Sequence, residues 1–342
     1  MFGPRRSRYD YERQLNLVAR CASAHGASVR SLGQTLDGRE LDCIEVGTGP
    51  LHVWAIHRQH PGESQASFFA EGLLARLLGF DGAVDGLAVK LRRQFTFHVV
   101  PNMNPDGSVR GHLRTNAAGA NLNREWASTD DYEAPTLARS PEVYYALKAM
   151  DVTGVDAFVD VHGDEALPVS FISGAEGCAC WGPRIKSLQS AFLACYARAN
   201  PDIQAAIGYA PDAPLEAKLT MGSNQVAQRY DCLGVTLEMP FKDCACNLGT
   251  GTTFQGPRAS AMGASFLDAL AYVATSLRGI TAPKFGPEDD YVAPVEEESF
   301  VNEFIARQEA LLAKEELHAS GAGAAAPPAD GPSANGKKRG RE

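Results

Sequence analysis

Four short motifs, spread over most of the chain, constrain its fold more than any other feature of the sequence. They read HPGE at 60–63, NPDG at 104–107 continuing to NLNR at 121–124, DVHG at 160–163, and TLE at 236–238. The first, third and fourth motifs follow or close apolar runs that are typical of buried strands. Polar residues in loops beyond strand ends are typical of functional sites in sheets that are flanked by helices.

Strand-like and helix-like segments alternate along the chain. Strand patterns cover 27–32, 41–46, 51–56, 95–100, 155–161 and 235–237, and helical patterns cover 9–25, 64–78, 141–150, 187–199 and 259–277. This alternation predicts an α/β sheet with helices on its faces, within one catalytic domain over residues 1–282. Beyond it, 283–319 is charged and predicted to be a helical extension. Residues 320–342 are rich in Gly, Ala and Pro, and we expect them to be disordered.

The bulk composition is that of an ordinary globular protein and argues against two classes of partner. The 342 residues carry a net charge of −9 with a pI of about 5.4, so we expect no nucleic acid partner. No apolar window is long enough to span a bilayer, and no apolar segment typical of a signal peptide follows the basic start. The eight cysteines do not form CxxC pairs. We therefore predict reduced thiols in a cytoplasmic protein that does not bind membranes.

Two histidines and one glutamate form a candidate metal-binding set. His60 and Glu63 lie three residues apart in a turn, because Pro61 and Gly62 disfavour a regular helix. His162 follows a buried strand. An HxxE pair alone is a common coincidence, and a lone histidine is more often a core or loop residue; their combination indicates a site. Two imidazoles and one carboxylate are a ligand set of catalytic zinc with a fourth position open to water, so we predict one Zn²⁺ per chain.

The second and fourth motifs offer groups for an anionic substrate and for proton transfer. Four polar residues crowd into one short segment, namely Arg110, Arg114, Asn123 and Arg124. Clustered arginines beside a candidate site indicate an anionic partner, and a guanidinium suits bidentate binding of a terminal carboxylate. A solvated loop is the alternative interpretation. Glu238 closes a strand among apolar neighbours, where it could act as the general base for a zinc-activated water, although such a glutamate is usually a surface residue.

As an ordered set, HPGE, NPDG with LRTNAAGANLNREW, DVHGDEA and TLEMPFKD resemble the zinc metallocarboxypeptidases related to carboxypeptidase A. The resemblance is strongest to the cytosolic carboxypeptidase branch and covers residues 9–277. It implies a mixed, roughly eight-stranded sheet flanked by helices and one catalytic zinc bound by His60, Glu63 and His162. Cytosolic carboxypeptidases usually carry a small β-rich domain before the catalytic one, whereas this sequence begins almost at the catalytic domain.

The same resemblance implies roles for the other motif residues. Arg114 matches the arginine that polarises the scissile carbonyl, and Glu238 matches the general base. Asn123 and Arg124 match the pair that holds the C-terminal carboxylate of the substrate. No motif locates the family's active-site tyrosine, and Tyr209 is the nearest suitable residue before the general base. The implied function is zinc-dependent hydrolysis of the C-terminal peptide bond of peptides or protein tails.

The preferred C-terminal side chain and two rival functions stay open at this point. Lys218 or Arg229 could supply the cation that a deglutamylase-like preference for acidic residues requires, but residues 223–225 could equally line a neutral pocket. An amidohydrolase resembling aspartoacylase or succinylglutamate desuccinylase would use the same HxxE and histidine set on an acylated amino acid. The combination of NPDG and NLNREW favours the peptidase. The other rival is a catalytically inactive binding module, and the presence of every expected ligand argues against it.

Overall fold

A mixed β-sheet forms the centre of the structure, a computed structural model that describes residues 9–128, 133–248, 253–279 and 282–321. Within these residues the sheet has seven strands: β1 (Ala27–Gln34), β2 (Glu40–Val46), β3 (Leu51–His57), β4 (Phe95–Val100), β5 (Ala157–Asp164), β6 (Phe171–Ser173) and β7 (Leu233–Pro240). The predicted mixed sheet is confirmed, with seven described strands compared with the roughly eight expected.

The strand order places three motif-bearing strands side by side. The order is β1-β2-β4-β3-β5-β7-β6, in which β4, β3, β5 and β7 run parallel. The pairs β1–β2, β2–β4 and β6–β7 are antiparallel. Because parallel strands end at the same edge of a sheet, the carboxyl ends of β3, β5 and β7 meet there, and the three motifs meet with them.

Helices cover both faces of the sheet. They are α1 (Tyr11–Ala22), α2 (Gln65–Leu78), α3 (Gly86–Gln94), α4 (Pro105–Arg110), α5 (Pro141–Thr153), α6 (Pro183–Ala199), α7 (Gly222–Tyr230), α8 (Gly256–Val273) and α9 (Glu298–Gly321). Val53 and Val159 face a core shared with α2, α6 and α8, whereas Trp54 and Phe158 face a second core shared with α5 and α7. Burial on both faces explains why the central strands read as continuous apolar runs.

Three helices were not predicted, namely α3, α4 and α7, and the last two each have a local cause. The NPDG sequence forms α4 as well as a turn, because Asn104 Oδ1 accepts the N–H of Gly107 (3.0 Å) and Pro105 occupies the first turn. Helix α7 reads GSNQVAQRY and offers only Val226 and Ala227 as buried apolar side chains. So polar a helix lacks the apolar periodicity on which a sequence-based prediction depends.

The C-terminal extension runs from an extended segment with a short 3₁₀ turn at Pro287–Asp289 into α9. The predicted disordered tail at 320–342 lies outside the described residues from 322 onward, and the division of the chain at 282 stays a prediction. No helix among the described residues is long and apolar enough to cross a lipid bilayer.

Candidate active site

The loop after β3 carries the first two candidate ligands and is shaped by its own sequence. Arg58 has a left-handed backbone with φ of 58°, and its buried guanidinium donates to the carbonyls of Pro61 (2.9 Å) and Tyr9 (3.1 Å). A Cβ at Gly62 would lie 2.6 Å from Leu113 Cδ1 and 2.9 Å from its carbonyl oxygen. Only glycine fits so close an approach, which accounts for the HPGE turn.

His60, Glu63 and His162 converge at the carboxyl edge of the sheet. His60 Nδ1 lies 2.6 Å from Glu63 Oε1, and His162 Nδ1 lies 2.8 Å from Glu63 Oε2. The two Nδ1 atoms are 3.2 Å apart, and all three side chains are buried. The structure thus brings together the three residues that the sequence predicted as metal ligands.

Each histidine has an oxygen acceptor on its opposite ring nitrogen. His60 Nε2 lies 2.9 Å from Asn121 Oδ1, and His162 Nε2 lies 2.9 Å from Asp160 Oδ1. With the hydrogen of each Nε2 directed at its oxygen, a bound metal ion would meet the lone pairs of both Nδ1 atoms. Metal-binding histidines are oriented in this way, with the far N–H held by a carboxylate or amide oxygen.

A chain of hydrogen bonds behind His162 was missed by the sequence analysis. Trp126 Nε1 donates to Gln59 Oε1 (2.9 Å), and Gln59 Nε2 donates to Asp160 Oδ2 (2.5 Å). Asp160 and Asn121 belong to motifs that had been identified, but only their tertiary contacts reveal what they do. The signal available in the sequence was their position beside a candidate ligand and beside a candidate carboxylate-binding pair.

The donor set fits a zinc ion. Burial alone would raise the pKa of Glu63, but the hydrogen bonds and charges of His162 and His60 outweigh burial and lower it to about 2. Two Nδ1 atoms that lie 2.6 and 2.8 Å from the oxygens of Glu63 require a proton or a metal cation between each ring and the carboxylate. Nitrogen and carboxylate oxygen are the ligands that catalytic zinc prefers.

Glu238 lies beside this centre on the neighbouring strand. It is the register partner of His162 in the β5–β7 pair and is buried. Its Oε2 has no hydrogen-bond partner among the described residues. Burial raises the pKa of Glu238 well above its usual value, the carboxylates of Glu63, Asp164 and Asp160 raise it further, and His162 opposes them. An orphaned buried carboxylate oxygen at this position suits a proton acceptor.

Two arginines lie close enough for their charges to interact, and one of them, Arg114, lines a cavity together with Glu63. Arg124 is half-buried, and its pKa is lowered by burial and by the charge of Arg114. An anion between two guanidinium groups that repel each other would balance their charges. Asn123 is buried, with its Nδ2 3.4 Å from His162 Nε2 and its Oδ1 accepting the N–H of Gly222 (2.8 Å). The structure brings all three residues to the site.

Tyr209 also reaches the site. Its hydroxyl donates to Asp164 Oδ2 (2.5 Å). Burial and the negative charges of Glu238 and Asp164 raise the pKa of Tyr209 far above its usual value. Lys218 lines a cavity of about 140 Å³ together with Tyr209. Arg229, the other candidate cation, is not among the residues that line this cavity, and its guanidinium forms two hydrogen bonds with the carboxylate of Asp151 (2.8 and 2.9 Å).

A second, open cavity of about 670 Å³ reaches the metal-ligand set. Charged and apolar side chains both line it, among them Glu63, Arg114, Asp164, Leu113, Phe241 and Phe254. Such a cavity allows an extended chain to approach the centre from solvent.

Comparison with known proteins identifies the family. The sequence model described as zinc carboxypeptidase matches residues 16–172. The solved structure of a metallo-carboxypeptidase from Pseudomonas aeruginosa, in complex with (2-guanidinoethylmercapto)succinic acid, is 38% identical and superposes with a TM-score of 0.73. The match covers 79% of this chain and 70% of that chain. This chain belongs to the zinc carboxypeptidase family. The family predicted from the motifs is thereby confirmed.

Two curated relatives extend the comparison. An uncharacterised protein from Zymomonas mobilis is 47% identical over 239 residues, which cover 69% of this chain and 60% of that protein. Human cytosolic carboxypeptidase 4 is 35% identical over 117 residues, which cover 34% of this chain and 10% of that protein. The resemblance to cytosolic carboxypeptidases is confirmed, although the chain spans less than two thirds of the length of either relative.

Proposed function

We propose that this protein is a zinc-dependent carboxypeptidase that removes the last residue from peptides or protein tails. The observation that carries the proposal is the convergence of His60, Glu63 and His162 beside the orphaned oxygen of Glu238. These residue types and this geometry are those of zinc sites that activate water with the help of a neighbouring carboxylate.

In the proposed mechanism His60, Glu63 and His162 hold the zinc, which when bound supplies a Lewis acid at this point. Glu238 accepts at Oε2 a proton from the attacking water and returns it to the amine that leaves. Arg114 donates to the carbonyl oxygen of the scissile bond, where negative charge develops. A fixed donor at such a position contributes more to the transition state than to the substrate complex.

The free carboxylate of the substrate would bind to Arg124 and Asn123. The half-buried guanidinium of Arg124 lies close enough to Arg114 for their charges to interact, which favours an anion between them. A carboxylate fixed there sets the distance from the end of the peptide to the metal. The enzyme would then cut one residue at a time and would not cut internal bonds.

A preference for acidic C-terminal residues would depend on Lys218. The cavity of about 140 Å³ that Lys218 lines is also lined by the carboxylates Glu176 and Asp212. We therefore expect any acidic preference to be small, since an acidic side chain would contact carboxylates as well as the ammonium group of Lys218. The ligand of the Pseudomonas aeruginosa protein likewise combines a guanidino group with a succinic acid.

We also propose a cytoplasmic location. All eight cysteines lie among the described residues, and all of them are free thiols. Thiol titration of the protein, purified under native conditions without added reductant, should therefore give eight groups per unfolded chain. A smaller number that reductant restores would contradict a reducing compartment.

A panel of peptides tests the function. Free-acid peptides that differ only in a final Glu, Lys or Leu should be shortened from the C-terminus, and a chelator should abolish the reaction until zinc is restored. The matching amides should react far more slowly, because they leave Arg124 without its anionic partner. Internal cleavage, or equal rates on acid and amide in mass spectra of the products, would contradict the exopeptidase assignment.

A further inference from the structure

The loop that carries Tyr209 is held by the C-terminal extension. Val295 pairs in parallel with Ile207. The N–H of Val295 donates to the carbonyl of Ala206 (3.0 Å), and the N–H of Gly208 donates to the carbonyl of Val295 (3.3 Å). The extension therefore binds the main chain directly before the tyrosine.

The next residue of the extension binds the main chain directly after the tyrosine. The N–H of Ala210 donates to Glu296 Oε2 (3.3 Å). In the part of the chain that the structure describes, residues 208–218 form no helix and no strand. A loop without regular structure depends on such outside contacts for its conformation.

Apolar packing reinforces these hydrogen bonds. The rings of Phe171 and Tyr209 pack edge to face with their centroids 4.8 Å apart. A Cβ at Gly208 would lie 2.9 Å from Phe171 and 3.3 Å from Pro294, so the extension presses closely on the loop. Val301, in the first turn of α9, is buried in the same cluster. The extension thus packs against both the loop and Phe171 of β6.

The extension also forms part of the small cavity beside Tyr209. Pro294 lines the cavity of about 140 Å³ directly. The carboxylate of Glu176, which lines the same cavity, accepts hydrogen bonds from Gln189 Nε2 (2.6 Å) and from the hydroxyl of Tyr291 (3.1 Å). Two residues of the extension therefore influence the shape and the charge of this pocket.

A buried anchor fixes the extension before it reaches the pocket. Asp289 accepts from Arg198 (2.9 Å) and from the hydroxyl of Tyr272 (2.7 Å), and its carbonyl accepts from the hydroxyl of Ser190. Asp289 is buried, so these bonds tie the extension to α6 and α8. The segment that follows reaches the Tyr209 loop from a fixed point.

From these contacts we propose that residues 289–301 form part of the active site. They position Tyr209 and the Glu176 carboxylate, and they thereby set which C-terminal side chains the pocket accepts. The part of this inference that concerns substrate selectivity rests on the proposed carboxypeptidase function. The positioning of the loop can nevertheless be measured without any turnover.

Hydrogen exchange tests the positioning directly. Val295→Pro removes the N–H that donates to Ala206, whereas Val295→Ala keeps it and serves as the matched control. Peptides covering residues 204–212 should take up deuterium at least about fivefold faster in the proline variant, which corresponds to the loss of roughly one hydrogen bond. Zinc content should not change. Unchanged exchange in a folded Val295→Pro protein would overturn the proposal.

Kinetics tests whether that positioning matters to substrates. Tyr291→Phe removes only the hydroxyl that holds Glu176, and Tyr230→Phe, which at the end of α7 removes a hydroxyl that donates to Asp151, is the matched control. In Tyr291→Phe, kcat/KM for a Lys-ended peptide should fall about fivefold relative to a Leu-ended peptide, because a displaced carboxylate pairs less well with an ammonium group. The change should appear in KM and leave kcat nearly constant.

The outcomes separate the two proposals. A parent protein that cleaves no peptide would refute the proposed function, while the exchange experiment would still decide whether the extension holds the loop. An unchanged Lys-to-Leu ratio in Tyr291→Phe would overturn the role of the extension in selectivity. If Val295→Pro does not fold, Glu296→Ala removes the acceptor of the Ala210 N–H, and its exchange at that amide takes the place of the first test.

Discussion

Two clusters in the described residues bring together three metal-capable side chains, and only one of them has the features of a metal centre. One is His60, Glu63 and His162, and the other is Cys43, Glu45 and His98. In both clusters the ligand atoms lie within 4.8 Å of one another. Residue type and proximity therefore do not distinguish the two, and the difference must lie in what surrounds them.

In the second cluster an arginine already neutralises the carboxylate. Glu45 Oε1 lies 2.8 Å from Arg30 Nε and 3.1 Å from His98 Nδ1, while His98 Nε2 lies 3.0 Å from His52 Nδ1. Burial lowers the pKa of His98 to about 4, and burial raises the pKa of Cys43 to about 12. The cluster is a neutral thiol and a neutral imidazole beside a carboxylate that an arginine balances.

The comparison shows that the hydrogen-bond and ion-pair partners of the ligand residues determine whether a cluster can bind a metal ion. In the first cluster the carboxylate of Glu63 has His60, His162 and the N–H of Gly163 as its hydrogen-bonding partners in the described residues, and no guanidinium is among them. In the second, the carboxylate is paired with a guanidinium and both nitrogens of the ring are engaged. Changes in either cluster, or in the residues beside it, should therefore have very different effects on metal binding and activity.

The largest expected effect is the loss of bound zinc. His162→Ala removes one of three ligands, and we expect purified protein to retain less than about a tenth of the parent zinc, since a catalytic site with two protein ligands holds its ion poorly. Cys43→Ser should retain one zinc per chain. Elemental analysis after dialysis measures both. Equal zinc in His162→Ala and the parent would exclude His162 as a ligand.

The next effect concerns rate without a change in metal. Glu238→Gln preserves the shape of the side chain but removes the base, so kcat should fall by about a hundredfold or more while zinc content stays at the parent value. Glu45→Gln, the corresponding change in the second cluster, should leave kcat within about twofold, because a partly exposed ion pair outside the candidate site contributes little. More than about a tenth of the parent activity in Glu238→Gln would exclude its role as general base.

The elements that could be predicted from sequence are those whose own residue pattern is enough to determine their secondary structure. Strands β3 and β4 matched their predicted ranges to within one residue, because both are apolar runs buried on both faces. The short β6 and the polar α7 were missed, since neither has a periodicity long enough to detect. Their places are set by contacts with β7 and not by their own patterns.

The candidate site likewise contains some residues whose roles could be predicted from sequence and others whose roles could not. The ligands could be predicted because HPGE and DVHG place the right residue types beside strand ends. The acceptor role of Asp160 could not, because it depends on Gln59, which lies 101 residues away in the chain. The pocket wall formed by Pro294 was also missed, since the charged composition of the extension gives no indication of where it packs.

A smaller effect should follow when the orientation of one ligand is lost. Asp160→Asn keeps the size of the side chain but weakens the acceptor for His162 Nε2–H, and the loss of such a partner typically lowers metal affinity about 10- to 100-fold. His52→Asn makes the corresponding change behind His98 and should leave zinc affinity unaltered. Competition with a chromophoric chelator measures both affinities. Equal affinities in the two variants would mean that the hydrogen bond behind His162 does not matter.

The smallest effect is the sharpest test of the comparison, because it attempts to convert the second cluster. Arg30→Gln removes the cation beside Glu45 while costing less than about 1 kcal/mol of unfolding free energy, since the side chains of this pair are 39% and 27% exposed. The parent should bind one Co²⁺ without a thiolate-to-metal absorption band. Arg30→Gln should develop that band at excess Co²⁺, because Glu45 and Cys43 can then share the ion with His98. The double variant with Cys43→Ser should lose it again. A thiolate band in the parent, or none in Arg30→Gln at any Co²⁺ concentration, would show that the arginine is not what keeps metal from the second cluster.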